Sequence, residues 1–436
     1  MNQQYWEKEL ETLSQVDLQI LQYERLKKTL RFASQSMYYK KLFAEKKINP
    51  DGFKSIKDIE KIPFTTKEDL RSNFPYGFLA AEKREVIRLH SSSGTTGNPT
   101  VVYHSKHDID SWANLVARSL FAVGTRDTDV FQNISGYGLF TGGLGFQYGA
   151  ERLGALTIPA GAGNSKRQIK LMRDYGTTVI HTIPSYVMHL VDFFREMNLD
   201  PRTDTDLRHM VIGAEPHTEE TRQRIQAMMG IKAYNSYGLS EMNGPGVAFE
   251  CEYQNGMHLW EDAFYAEIID PVTLQHVPEG EIGELVLTSL DRQAMPILRY
   301  RTRDLTRFLP GSCPCGRTHR RIDRMKGRSD DMFIIRGCNV FPMQIEKVLM
   351  QIPEVGNNYM IQLETIDGVD EMIIEVEVLD GNFLDNYSKL EKLSKIITNE
   401  VKNEVLVTPK VKLVQPNHFP PCEGKALRVK DNRKQY

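Results

Sequence analysis

The chain of 436 residues has little of what would mark several large classes of protein. No stretch approaches the ~18 consecutive apolar residues of a membrane span. The opening "MNQQYWEKELETL" lacks the basic-then-apolar order of a secretory signal, so the expectation is a soluble, cytoplasmic protein with no membrane partner. Cysteine is scarce and odd in number, five in all, which argues against a disulfide framework and leaves thiols or a metal site. An excess of one charge is also missing. Lys and Arg number 55 against 57 Asp and Glu, a net charge of -2, so there is no bulk attraction for nucleic acid or anionic lipid. Internal repeats and low-complexity tracts are absent too. Any polyanion must be held locally.

What is present reads as globular: 40% hydrophobic and 26% charged residues in a chain long enough for two or three domains. Residues 1–85 are polar and helical in pattern, with Trp6, Leu10, Leu13, Leu18, Leu21 and Leu26 recurring at three-to-four spacing. They form an N-terminal helical segment of a large domain. From about 86 to 250, "VIRLH", "TDVFQNIS", "GALTIPAG", "TTVIHTIPS", "LRHMVIGAEP" and "IKAYNSYG" alternate with amphipathic stretches. That alternation predicts an α/β fold with a mostly parallel sheet covered by helices, and active-site residues at the carboxyl ends of its strands.

The large domain spans 86–326 and includes a β-rich subdomain at about 250–326, where short strands broken by Pro and Gly suit antiparallel pairing. Residues 327–342 are a hinge and linker. Residues 343–436 follow as a small α+β C-terminal domain, whose β-α-β-β-α-β reading counts "MFIIRG" as its first strand.

Several segments carry chemistry. In "SSSGTTGNPT", Gly94 and Gly97 permit close backbone approach to an anion, and Ser92, Ser93, Thr95 and Thr96 add hydroxyl donors. Taken alone, the segment also fits a flexible surface loop. It is no Walker loop, because Asn98 stands where the lysine would be. "YNSYGLSE" sets Tyr237 to stack on a base, Asn235 to bond its edge and Glu241 to hold Mg²⁺ through oxygen. In "RYRTRD", Asp304 can accept from ribose hydroxyls, although a surface ion-pair network reads the same way. "PPCEGKALRV" places Lys425 in a basic tail, where a lone lysine is ordinarily solvated.

The cysteines suggest a separate site. Cys251 and His258 flank "EYQNGM", and Cys313 and Cys315 lie in "CPCGRTH". Together they would make a closed Cys₃His structural zinc centre, with His319 able to substitute for His258. Cys338 and Cys422 are expected to remain free.

In one order along the chain, "SSSGTTGNPT", "IGAEP", "YNSYGLSEMNGPGVAFEC", "RYRTRDLTRF", "GRSDDMFIIRGCNVFP" and "PPCEGKALRV" resemble the adenylate-forming acyl-CoA synthetases, and within them the phenylacetate-CoA ligase family. The resemblance spans roughly residues 5 to 430. It implies ATP-dependent, Mg²⁺-assisted activation of an aromatic acid to an acyl-adenylate, then transfer to coenzyme A with release of AMP. Phenylacetate is the first expectation. Indoleacetate, benzoate, a carrier-protein thiol or a non-catalytic nucleotide binder are the alternatives.

By the same resemblance, Ser92 to Gly97 cradle phosphates, Glu215 and Pro216 wall the base pocket with Tyr237, Asp304 binds ribose and Arg328 reaches the nucleotide. Glu241 holds Mg²⁺. Lys425, on a mobile C-terminal domain that swings about Asp330, bridges the attacking carboxylate and the nucleotide. Tyr137, Phe140, Ala214, Gly244 and Pro245 are matched to the acyl pocket. Small molecules are the expected partners, with a homodimer possible and no nucleic acid. The family loop often has Lys at the position of Asn98, a departure that puts the affinity for ATP in question.

Overall fold

A computed structural model describes residues 3–91, 98–366, 369–381, 386–419 and 427–433. The N-terminal segment is helical, with α1 (Lys8–Glu11), α2 (Gln15–Ala33), α3 (Met37–Lys46) and α4 (Lys67–Ser72). Ser14, Ser36 and Thr66 start the last three by accepting a hydrogen bond from a backbone N–H in the first turn. Leu18, Leu26, Leu30, Tyr39 and Phe43 form the buried stripe.

The first two strands, β1 (Val86–Ser91) and β2 (Val101–Ser105), pair antiparallel as a separate two-stranded sheet. "VIRLH" therefore does not join the parallel sheet as its apolar run suggested. It pairs with its near neighbour in sequence, and Ile87 and Leu89 face solvent. Helix α5 (Lys106–Ala122) follows, capped reciprocally by Ser105 and Asp108.

Strands and helices then alternate: β3 (Val130–Asn133), α6 (Thr141–Leu153), β4 (Leu156–Ile158), α7 (Ser165–Asp174), β5 (Val179–Thr182), α8 (Pro184–Glu196), β6 (His209–Gly213), α9 (Glu219–Met229) and β7 (Lys232–Leu239). Strands β4, β3, β5, β6 and β7 lie side by side in parallel. Strands β5 and β6 are buried at every position, the continuous apolar pattern of a sheet covered on both faces.

Beyond β7 the sheet continues in antiparallel fashion through β8 (Gly244–Glu250) and β9 (Met257–Leu259). Three strands, β10 (Phe264–Ile269), β11 (Gly283–Ser289) and β12 (Tyr300–Thr306), then form an antiparallel sheet closed by the later β15 (Gly327–Arg328). The intervening β13 (Phe308–Leu309) and β14 (Arg321–Ile322) return to the large sheet as its far edge, giving it nine strands. The 250–326 region is thus antiparallel, as its Pro and Gly breaks predicted, but its strands are shared between two sheets.

The last section begins with a hairpin, β16 (Phe333–Ile335) and β17 (Cys338–Val340). The strand read in "MFIIRG" belongs to this pair and not to the small sheet. Arg336 (φ 49) and Gly337 (φ 81) both take the left-handed conformation that a two-residue hairpin turn needs, so the chain folds back at once.

Helix α10 (Pro342–Gln351), β18 (Val355–Ile366), β19 (Val369–Val378), α11 (Tyr387–Val405), β20 (Lys410–Val414) and β21 (Val429–Asp431) complete the chain. The four strands order as β20-β19-β18-β21, with only β18 and β19 antiparallel. One buried apolar cluster runs from α7, α8 and α9 of the large sheet into α10, β18, β19 and α11. Among the described residues, no helix is long and apolar enough to cross a membrane.

Candidate active site

The parallel strands deliver their loops to one edge. At the end of β6 the chain turns through Ala214, whose φ of 65 leaves Ala214 and Pro216 exposed and Glu215 half-buried. The Glu215 carboxylate accepts hydrogen bonds from the Ser185 backbone N–H (3.0 Å) and hydroxyl (2.8 Å), at the start of α8 beyond β5. Two neighbouring strand ends are thereby tied together. In β7, Asn235 is buried and its backbone N–H donates to Glu250 Oε2 at 2.8 Å.

Two carboxylates stand out at the carboxyl end of β7, each gripped by a buried tyrosine. Tyr237 Oη donates to Asp304 Oδ2 at 2.6 Å, and Arg328 Nη1 donates to Asp304 Oδ1 at 3.1 Å. Asp304 and Arg328 face each other directly across β12 and β15. Burial, then the Asp304 charge, hold the Tyr237 hydroxyl protonated well above the usual tyrosine range. Burial opposes the charge on Arg328, but Asp330, Asp304 and Asp331 outweigh it and raise the guanidinium further.

The second carboxylate, Glu241, follows β7 in a short 3₁₀ turn, Ser240–Met242, and is buried. Its Oε1 accepts from Tyr300 Oη at 3.1 Å, and Arg292 Nη1 donates to its backbone carbonyl at 2.8 Å. Burial, then the neighbouring Glu241, raise the Tyr300 hydroxyl well above its ordinary range. Tyr300 lies inside "RYRTRD", where nothing local marks its bond to Glu241, 59 residues away. Ser185 and Arg292 carry no sequence signal, because each acts through a partner distant in the chain.

The residues matched to an acyl pocket lie around the β3 and β7 ends. Tyr137 is half-buried and accepts from Asn133 Nδ2 at 3.0 Å, whereas Phe140 is 54% exposed. Phe140 is therefore no core aromatic. Gly244 is buried at φ 99, and a Cβ there would stand 2.5 Å from Thr141 Cβ. Pro245 accepts at its carbonyl from Trp112 Nε1 at 2.9 Å. Ser240 and Thr141 share a hydrogen bond at 3.2 Å, which joins this wall to Glu241. The phosphate-loop residues Ser92, Ser93, Gly94, Thr95, Thr96 and Gly97 lie outside the described residues, as do Lys425 and Cys422.

The predicted metal cluster is assembled. Ligand atoms of Cys251, His258, Cys313 and Cys315 all lie within 4.8 Å of one another, and all four residues are buried. Cys251 and Cys313 sulfurs stand 3.7 Å apart, close to the ~3.8 Å that two 2.3 Å bonds at a tetrahedral zinc require. The Cys315 sulfur is 3.3 Å from His258 Nε2. His258 Nδ1 lies 3.3 Å from the His319 carbonyl, the contact that leaves Nε2 to face the thiols. His319 is turned elsewhere, with Nε2 against Leu10 O (2.9 Å) and Nδ1 accepting from the Glu261 N–H (3.2 Å). Of the two candidate histidines, His258 faces the thiols. A hydrogen bond from Cys251 lowers the Cys315 thiol, which favours the thiolate that a metal cation would take as a ligand.

Both sections of the chain are similar to known proteins. Residues 44–291 match the AMP-binding enzyme family, and residues 337–433 match the AMP-binding enzyme C-terminal domain. The phenylacetate-coenzyme A ligase of Thermus thermophilus is 44% identical, over 98% of this chain and 100% of that protein. That of Pseudomonas putida is 45% identical, over 97% and 96%. Among solved structures, a 2-hydroxyisobutyryl-CoA ligase in its postadenylation state, in complex with 2-HIB-AMP, superposes with a TM-score of 0.93 at 30% identity, over 99% of this chain and 93% of that one. In its thioesterification state, with 2-HIB-AMP and CoA, the TM-score is 0.73 at 31% identity and the same coverage.

Proposed function

Given that the chain belongs to the AMP-binding enzymes, and within them to the phenylacetate-coenzyme A ligase family, we propose that it joins an aromatic carboxylic acid, with phenylacetate the first choice, to coenzyme A through an acyl-adenylate. In the first half-reaction a carboxylate oxygen bonds to the α-phosphorus of ATP and pyrophosphate leaves. In the second the coenzyme A sulfur bonds to the acyl carbon, its proton is lost and AMP departs. The difficulty in the first is one anion attacking another, so alignment and charge neutralisation carry most of the rate.

The chain's own groups divide this work. Asp304, held on both oxygens by Tyr237 and Arg328, receives the ribose hydroxyls. Glu215, Pro216 and Asn235 border the base, with Tyr237 beside it. Ser92 to Gly97 give backbone and hydroxyl donors to the β- and γ-phosphates. Glu241, a buried hard-oxygen donor oriented by the neutral Tyr300 hydroxyl, suits Mg²⁺ in donor chemistry. That ion would supply charge neutralisation on the phosphate oxygens. Lys425 bridges the carboxylate and the nucleotide, and Asp330 belongs to the hinge between the two arrangements. Tyr137, Phe140, Ala214, Gly244 and Pro245 flank the acid, where flat aromatic and small side chains favour an aryl ring over a long alkyl chain. Cys251, His258, Cys313 and Cys315 would hold a zinc ion, whose role with four protein ligands would be structural.

One observation carries the reading: Tyr237, Asp304 and Arg328 converge beside Tyr300 and Glu241 at the carboxyl end of β7, in a chain similar end to end to phenylacetate-coenzyme A ligases. A pyrophosphate-release screen tests it across phenylacetate, indoleacetate, benzoate, medium-chain fatty acids and small hydroxy acids. Turnover fastest with a fatty or hydroxy acid would sink the aryl assignment. Unchanged adenylate formation in Lys425→Ala would remove Lys425 from the mechanism.

A further inference from the structure

Helix α9 starts three residues after the exposed Ala214–Pro216 turn, with Thr218 as its cap. Beside Glu219 and Glu220 of its own first turn, that helix end meets a further acid from the other side of the hinge. Glu346 of α10 is buried, and its Oε1 accepts from Thr221 Oγ1 at 2.6 Å and from the Thr218 backbone N–H at 3.3 Å. Its Oε2 accepts from Tyr359 Oη of β18 at 2.9 Å. A buried carboxylate must find donors, and here two of three come from the first turn of α9, where the helix's partial positive charge also favours it. Other polar contacts follow the same seam. Arg224 of α9 donates to the Val355 carbonyl, and Gln351 of α10 donates to Glu220 at 3.1 Å.

Tyr359 extends the connection in two directions. Its hydroxyl is fully buried and raised well above the ordinary range by burial, then by Glu346, with a further contribution from Glu215 of the exposed turn. Across its ring lies the Arg428 guanidinium, 4.6 Å from the centroid, and Arg428 Nη1 donates to the Tyr359 carbonyl at 3.4 Å. Arg428 comes three residues after Lys425 and directly before β21, which pairs with β18. A continuous set of contacts therefore joins the start of α9, Glu346, Tyr359 and the segment that follows Lys425.

We propose that Glu346 is a positioning residue. With Thr221 and Tyr359 it latches the C-terminal section against the start of α9, in the arrangement that precedes thioester formation, and through Arg428 it sets the path of the segment following Lys425. The inference rests on the two half-reactions proposed above. The present arrangement superposes better on the relative's postadenylation state than on its thioesterification state. Moving α10 away leaves Glu346 its Tyr359 partner but breaks its bonds to Thr218 and Thr221 of α9. The latch therefore favours one arrangement without locking it, since water can replace the lost donors.

The test uses the full chain with Thr221→Val, Glu346→Gln and Thr221→Ser. Single-turnover pyrophosphate release reads adenylate formation, and thioester formation from preformed aryl-adenylate and coenzyme A reads the second step. Thr221→Val and Glu346→Gln should slow the first about tenfold, the scale of one lost hydrogen bond to a charged group, and leave the second unchanged or faster. Thr221→Ser, which keeps the hydroxyl, should restore the first. An equal fall in both steps, an unaffected first step, or no rescue by serine would overturn the proposal. Hydrogen exchange reads the latch apart from the reaction. Thr221→Val should speed exchange at Glu219–Met229 and Pro342–Gln351 together, and unchanged exchange at either overturns it even if no acid tested is a substrate.

Discussion

Replacing Tyr237 by Phe removes one oxygen atom and tests whether Asp304 is oriented for a ligand or merely satisfied within the fold. The lost contact is the 2.6 Å hydrogen bond to Asp304 Oδ2. A bond to a charged acceptor contributes about 1.5–3 kcal/mol. Here the Asp304 side chain is 15% exposed and Arg328 still holds its other oxygen, so water recovers part of that and the expected loss of stability is about 1 kcal/mol.

The nucleotide should feel more than that, because the carboxylate loses the bond from Tyr237 that helps to orient it. The expected result is a roughly tenfold rise in KM for ATP, about 1.4 kcal/mol, with kcat within about threefold and KM for the acid unchanged. The hydroxyl stays protonated well above the ordinary tyrosine range, so the effect should not vary across neutral and mildly alkaline pH. Pyrophosphate release with ATP titrated at saturating acid measures it, alongside urea unfolding. Asp304→Asn in the wild-type and Tyr237→Phe backgrounds completes a double-mutant cycle, in which coupling in KM for ATP is expected. A stability loss of the expected size with an unmoved KM for ATP would refute the reasoning, because Tyr237 would then serve only the fold.

Metal analysis of the purified protein should give about one zinc per chain, falling to near zero in Cys313→Ser and His258→Gln but not in His319→Gln. Chelation should also loosen the N-terminus, since Gln4 and Tyr5 both donate to the Cys315 carbonyl, and limited proteolysis reads that directly. Acid should destabilise the fold through buried histidines. Burial pushes His181 to about 3, His209 to about 4 and His217 to about 3. The unfolded chain therefore takes up protons near pH 6.5 that the folded chain refuses, and this stability, complete above that pH, is lost as pH falls toward the folded values. Each histidine contributes a slope of about 1.4 kcal/mol per pH unit inside the window, and His217→Gln should flatten the urea-derived slope between about pH 4.5 and 6 by that amount. Arg292→Met should cost about 3 kcal/mol in urea unfolding, because it strips donors from the buried carbonyls of Glu241 and Tyr103.

Much of the fold was legible because its signals are local. The alternation of apolar runs and amphipathic stretches marked β3 to β7. Reading failed where pairing is decided at a distance or by a turn. "VIRLH" is as apolar as its neighbours, and only the return of Val101–Ser105 takes it out of the parallel sheet. The pair Arg336–Gly337 closed a hairpin that periodicity alone read as a single strand. At the site, Glu241 and Asp304 were visible as acids near strand ends, but the tyrosines that orient them were not recognised in that role. Tyr300 and Tyr237 act across β-sheet neighbours far apart in sequence. The choice of His258 over His319 likewise needed the ring orientations.

The charge at the site explains why the C-terminal section matters. Glu215, Glu241, Asp304 and Asp330 gather around the β6 and β7 ends and the start of the linker. Among the described residues, Arg328 is engaged with Asp304, Asp330 and Asp331, and the buried Arg292 is committed to two backbone carbonyls. Such a surface can orient ribose and hold a divalent cation, yet it repels both a carboxylate and a triphosphate at close range. On the proposed function, positive charge for the phosphates comes with the cation and with Lys425, on the far side of the hinge. Adenylation then depends on where the C-terminal section rests, and a buried acid that fixes that resting place controls the rate without touching a reacting atom.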